Sequence, residues 1–136
     1  MKVMEFAFDT REPSAKDYLP HCYPEHSVVY SGTHDNLTLK QWFDEADPAD
    51  IRAAYDYLGL NEQEGPVWGM IRGAMGSVSK LCIIQMQDYL GLGGESRMNH
   101  PGTLTSANWT WRAVPGFATA ELAEKIRSLT ERYDRI

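Results

Sequence analysis

Four adjacent residues, Thr33-His34-Asp35-Asn36, set a hydroxyl, an imidazole, a carboxylate and an amide side by side. They come just after Ser27-Val28-Val29-Tyr30, a β-rich run that ends at Gly32 and reads as a buried strand. Hydrogen-bonding groups gathered at a strand's end suit the hydroxyls of a sugar. A carboxylate fixed there also suits positive charge developing on a sugar ring, because a preorganised negative group stabilises it. The bland alternative is an Asx turn in which Asp35 or Asn36 merely closes the loop.

Two further segments carry similar groups. Gln85-Met86-Gln87-Asp88 ends a second apolar run, where Gln85, Gln87 or Asp88 could face a site. Asp88 serves equally as the N-cap of a short following helix. Arg97-Met98-Asn99-His100-Pro101-Gly102-Thr103 joins a cation and an amide to a rigid turn, and Asn108-Trp109-Thr110-Trp111-Arg112 follows it. Trp109 and Trp111 offer flat faces for stacking on sugar rings; the competing role, anchoring the loop to the core, is the one expected of Trp109. His21, Cys22, Glu25 and His26 have the atom types of metal ligands. They lack a second well-spaced half, and Pro20 and Pro24 mark a rigid loop, so no metal site is expected. The sequence has no phosphate-binding glycine loop or nucleophile elbow, and no cofactor is implied.

The elements that must position these groups alternate. The apolar segment near 3–8 and the run near 27–31 read as strands, with a proline-rich loop over 9–26 between them. Leu37 to Phe43 suits a short helix. Asp47-Pro48-Ala49-Asp50 starts another, and Ile51, Ala54, Tyr55 and Leu58 continue it at helical spacing until Gly59. Pro66 opens a third, with Trp68, Ile71 and Met75 on one side; its interior Gly69 and Gly73 imply close packing against a neighbour. Residues 80–86 are apolar in succession, as in a parallel strand covered on both faces. A long loop over 91–116 precedes a C-terminal helix over 120–133, capped by Thr119 and turning Leu122, Ile126, Leu129 and Tyr133 inward. Strands separated by helices imply an α/β fold with parallel pairing, and chemistry then sits at the C-terminal ends of the strands.

At 136 residues the chain suits one domain and is too short for a complete (β/α)8 barrel, which needs roughly 250. A net charge of −6 with scattered basic residues excludes a nucleic-acid or anionic-membrane surface as the expected partner. Cys22 and Cys82 form no disulfide framework. Glu5 interrupts any signal-peptide core and no apolar stretch reaches the ~18 residues of a membrane span, so the cytoplasm is the expected compartment. The chain opens directly on an apolar segment without a cap or turn, as expected of a cut inside a longer protein.

Taken together, these segments resemble the amylomaltase family of 4-alpha-glucanotransferases, in the α-amylase superfamily. Gly32-Thr33-His34-Asp35-Asn36 resembles the family's last conserved motif, and Met1-Lys2-Val3 with Glu5-Phe6-Ala7-Phe8 resembles its sixth barrel strand. Tyr18-Leu19-Pro20-His21 and Tyr23-Pro24-Glu25 resemble the loop that follows that strand. Gln87-Asp88-Tyr89-Leu90-Gly91-Leu92-Gly93 resembles the end of the eighth strand. Arg97-Met98-Asn99, Pro101-Gly102-Thr103, Asn108-Trp109 and Trp111-Arg112 resemble the closing segment. Leu37 departs from the acidic or polar residue that many members carry.

The resemblance implies that residues 1–136 are the last three strand–helix units of an incomplete (β/α)8 barrel. It implies a retaining transfer of α-1,4-glucan segments between maltooligosaccharides. Asp35 would stabilise the transition state, and His34, Asn36, Asn99 and Trp109 would bind substrate. The nucleophile and the general acid belong to earlier strands and have no match here, so the chain alone is expected to be inactive. Its exposed barrel edges are expected to drive self-association. The competing reading is a non-catalytic carbohydrate-binding or scaffold fragment that keeps the shape without the chemistry.

Overall fold

The computed structural model describes residues 1–136. Three strands, β1 (Lys2–Val3), β2 (Val28–Tyr30) and β3 (Leu81–Ile83), pair in parallel in the order β1-β2-β3. Val3 stands beside Tyr30, and Val28 and Tyr30 stand beside Leu81 and Ile83. Five helices follow one another: α1 (Leu39–Glu45), α2 (Pro48–Leu58), α3 (Pro66–Met75), α4 (Met86–Tyr89) and α5 (Ala120–Arg132). None is long and apolar enough to cross a membrane.

Helices α2 and α5 begin at the caps the sequence offers, while α1 starts two residues later than the expected Leu37. The Asp47 carboxylate accepts from the Ala49 N–H, Pro48 begins α2, and Gly59 ends it with φ 61°, a left-handed conformation that glycine adopts without penalty. Thr38 accepts from the Gln41 N–H at the start of α1, and Thr119 from the Leu122 N–H at the start of α5. The glycines of α3 are spaces for the end of α2 and the turn after it. A methyl group at Gly69 would overlap the Leu60 side chain, and one at Gly73 would come within 2.6 Å of a Leu58 methyl. The core joins Val29 of the central strand to Met70, Ile71 and Ala74 of α3, all fully buried, with Cys82 and Ile84 packed against it.

The structure corrects several sequence expectations. The first strand stops at Val3, and Met4–Phe8 winds into a 3₁₀ helix instead of extending. Residues three apart eclipse in such a helix, so Met4 aligns with Ala7 and Glu5 with Phe8, and all four are buried. The segment 9–26 is not a plain loop: it holds 3₁₀ helices at Pro13–Tyr18 and Pro20–Cys22, each opened by its proline. The third strand ends at Ile83, and Met86–Tyr89 is helical. Alternate residues of β3 face opposite ways. Cys82 turns to the core, while Leu81 and Ile83 are 56% and 47% exposed, so one face of this strand is uncovered. In α5 only Leu129 of the expected inner stripe is buried; Leu122, Ile126 and Tyr133 are half-buried.

Candidate functional site

The loop after β2 is shaped by Asn36 and displays Asp35. The Asn36 side-chain oxygen accepts from the Thr33 N–H at 2.8 Å and from the Thr33 hydroxyl at 2.7 Å, so this amide closes the turn. Asp35 is left projecting, its side chain 49% exposed. Its Oδ1 accepts from Asn99 Nδ2 at 2.7 Å, and His34 Nε2 lies 3.3 Å from Oδ2. Arg97 donates to the Asp35 backbone carbonyl at 3.0 Å. One carboxylate oxygen is therefore hydrogen-bonded, the other lies beside the His34 ring, and the main chain is held by Arg97, yet the side chain remains open to solvent.

Trp109 completes the cluster. Its ring packs on the His34 ring with centroids 4.9 Å apart, and the residue is 59% exposed. It is not sunk into the core, contrary to the anchoring role. Its φ of 66° is a left-handed conformation that bulky residues seldom adopt, and it is held there by an N–H bond to the Met98 carbonyl. Asn108 steadies the rest of the long loop. Its oxygen accepts from the His100 N–H, and its amide donates to the Thr103 carbonyl and hydroxyl.

The polar residues of α4, just after the third strand, face inward. Asp88 does not cap α4; it lies within that helix and is fully buried. Its carboxylate accepts from the Ser31 hydroxyl at 2.5 Å and from the Leu39 N–H, the first residue of α1, at 2.8 Å. Burial pushes its pKa up, and these two bonds pull it partly back. Gln87 is likewise buried and donates to the Ser96 carbonyl. The His21 ring hydrogen-bonds the Tyr57 hydroxyl at 2.8 Å. Trp111 is half-buried and stands apart from the Asp35 contacts.

A cavity of about 830 Å³ opens beside Asp35 and Asn36, within the size range of small-ligand sites. Phe6, Tyr18 and Trp42 give it aromatic surface, and Arg97 and Glu5 line it as well. Glu5 escaped the sequence reading as a site residue. It is 6% exposed, and burial, reinforced by the nearby Asp88 charge, pushes its pKa well above the ordinary value. Its signal was an acid in an apolar segment, Met4-Glu5-Phe6-Ala7-Phe8.

Comparison with known proteins places this geometry in a family context. Residues 1–116 match the family described as 4-alpha-glucanotransferase. The chain is 46% identical over 136 residues to the 4-alpha-glucanotransferase of Clostridium butyricum, covering 99% of this chain and 27% of that protein. It is 39% identical over 143 residues to the Thermus thermophilus 4-alpha-glucanotransferase, covering 100% and 28% respectively. Its fold is similar to an amylomaltase from Streptococcus agalactiae, solved in complex with acarbose. That similarity has a TM-score of 0.91 at 34% identity, over 99% of this chain and 27% of the other. The chain thus spans about a quarter of the length of the relatives it matches.

Proposed function

The chain belongs to the 4-alpha-glucanotransferase family, and from that premise we propose that it supplies the last three strand–helix units and one catalytic carboxylate of such an enzyme. The observation that carries the proposal is Asp35, held by Asn99 through one carboxylate oxygen, with His34 beside the other, and still half exposed at the end of a central parallel strand. In parallel barrels the chemistry gathers at that end of the strands. The sequential strand order and the uncovered Leu81 and Ile83 support residues 1–136 as an arc of a (β/α)8 barrel whose inner face other strands would fill.

The substrate proposed is an α-1,4-glucan chain such as a maltooligosaccharide, in keeping with the acarbose bound by the Streptococcus agalactiae relative. A retaining transfer uses one carboxylate as nucleophile and another as acid and then base, about 5–5.5 Å apart. Asp35 takes neither part. An ionised carboxylate offers about four lone-pair sites. Asn99 takes one of them and His34 stands beside the second oxygen, leaving room for sugar hydroxyls. Bonds from those hydroxyls and the fixed negative charge strengthen as the ring acquires oxocarbenium character. His34 lies beside the same ring, and Trp109 offers it a flat face. Asn36 lines the cavity next to Asp35 with its amide nitrogen left for substrate, while Asn99 acts on substrate by orienting Asp35.

The test compares the isolated chain with a chimera in which it replaces the matching quarter of the Clostridium butyricum enzyme. Maltotriose disproportionation is expected from the chimera and not from the isolated chain. Light scattering should show the isolated chain self-associated through the open sheet, since raw strand edges and bare apolar faces recruit partners. A monomeric isolated chain that disproportionates maltotriose, or a folded chimera that does not, would overturn the assignment.

A further inference from the structure

The Thr33–Asn36 turn is entered through Gly32 and left through Leu37, and both of these residues meet the same buried side chain. A methyl group at Gly32 would lie 2.8 Å from Glu5 Oε1, 3.2 Å from the Gln85 amide nitrogen and 3.2 Å from the Leu37 carbonyl oxygen. Glu5 is 6% exposed, lines the cavity beside Asp35, and its Oε1 has no hydrogen-bond partner. Arg97, which holds the Asp35 carbonyl, lines the same cavity and likewise leaves its Nε buried without a partner. A buried carboxyl oxygen left without a partner is costly, so its place in the packing calls for an explanation.

We propose that Glu5 is a positioning residue, its carboxyl filling the space between Gly32 and Leu37 and so setting where the turn holds Asp35. This inference rests on the role proposed above for Asp35. The charged groups that face Glu5 are Asp88 from α4 and Arg97 from the segment after it. Burial is the largest influence on its protonation, and the Asp88 charge adds to it; Arg97 and the Leu37 N–H oppose them. The net effect favours the protonated carboxyl, which packs against Gly32 without bringing a second bare anion beside Asp88. Losing that proton places a negative charge under the turn, so the position of Asp35 becomes sensitive to pH.

Two readouts separate this from a merely structural role. In the chimera, Glu5→Ala should lower kcat about 10-fold or more with KM within about twofold, as displacement of a reacting group does. Glu5→Gln, the neutral isostere, should restore kcat and remove the alkaline loss that Glu5 ionisation contributes. In the isolated chain, the backbone amides of residues 33–37 should titrate with a step above the surface-carboxylate range, and Glu5→Gln should abolish that step. A Glu5→Ala chimera with unchanged kcat would overturn the proposal, as would a step that persists in Glu5→Gln. Asp35→Asn in the same chimera is the control. If it too leaves turnover unchanged, the role of Asp35 fails; if it alone loses turnover, only the role of Glu5 fails. Should the chimera give no turnover at all, the amide titration decides.

Discussion

After β2 the chain turns outward and presents Asp35 with its side chain 49% exposed; after β3 it turns at once into α4 and buries Asp88 completely. Both aspartates stand just past the C-terminal ends of neighbouring parallel strands; Asp88 has both carboxylate oxygens hydrogen-bonded, whereas Asp35 has one bonded and the other beside the His34 ring. The difference lies in what engages them. Asp88 meets the Ser31 hydroxyl and the first N–H of α1, so its bonds tie the end of one strand to the start of a helix. Asp35 meets only side chains that are themselves open to solvent or half-buried, so its bonds fix a direction without closing it off. A strand end supplies an address for chemistry; whether the residue there acts or supports depends on which groups claim it.

The comparison breaks most sharply under matched substitutions. Asp35→Asn in the chimera should cost about 10²–10³ in turnover, the usual loss when one preorganised electrostatic group is removed. Its melting temperature should stay within a degree or two (roughly), because an exposed carboxylate leaves no buried donor stranded. Asp88→Ala should do the reverse. It strands the buried Ser31 hydroxyl and Leu39 N–H, at about 1–3 kcal/mol each. Urea unfolding should show that loss, and turnover per folded molecule should hold. An Asp88 variant as stable as the parent, or an Asp35 variant with full turnover, would erase the distinction.

A smaller effect sharpens it through pH. Glu5 and Asp88 both have folded-state pKa values raised, chiefly by burial, so the folded chain keeps protons that the unfolded chain has lost. Their contribution to stability is fully present below the ordinary carboxylate range, about pH 4, and is lost as pH rises through the raised values. Asp9 and Glu12 shift downward through bonds from neighbouring N–H groups, but both lie at the surface, where water screens the effect. Urea midpoints should therefore fall between about pH 4 and neutrality, and Asp88→Asn should flatten the fall. A midpoint that rises over this interval in the parent chain would show that the buried carboxyls do not govern it.

How far the sequence reveals this arrangement depends on the kind of signal. Helix α2 was legible at both ends because Asp47-Pro48 and Gly59 are local devices that need no tertiary context. The site loop was legible because a β-rich run ending at Gly32 leaves His34 and Asp35 nowhere to go but the strand's end. The boundaries of β1 and β3 were not, because an apolar run does not distinguish strand from helix by itself. Met4–Phe8 therefore reads as strand and folds as 3₁₀ helix, and the strand expected to run to Met86 stops at Ile83, with Met86 opening α4. Asp88 looked like a cap for its own helix and instead anchors α1, forty-nine residues away at Leu39. Glu5 was invisible for a related reason: composition records an acid, and only the packed structure records that it is buried beneath the turn holding Asp35.

The smallest effect concerns Trp109, whose role the sequence left between stacking and anchoring. At 59% exposure the ring contributes little buried area, so Trp109→Ala should cost less than about 1 kcal/mol, far below the ~3–5 kcal/mol of a deeply buried tryptophan. What it removes is the aromatic face packed on His34, the neighbour of Asp35. Stacked aromatic contacts contribute about 0.5–1.5 kcal/mol beyond their area, so KM for maltotriose in the chimera should rise about 3–10-fold with the melting temperature nearly unchanged. Trp109→Gly separates the ring from the backbone. Glycine adopts φ 66° freely, whereas alanine retains the left-handed penalty of about 1 kcal/mol, so the glycine variant should be at least as stable as the alanine one. Equal KM in the two variants then assigns the loss to the ring. A large fall in stability in both, with KM unchanged, would restore the anchoring role and remove Trp109 from the site.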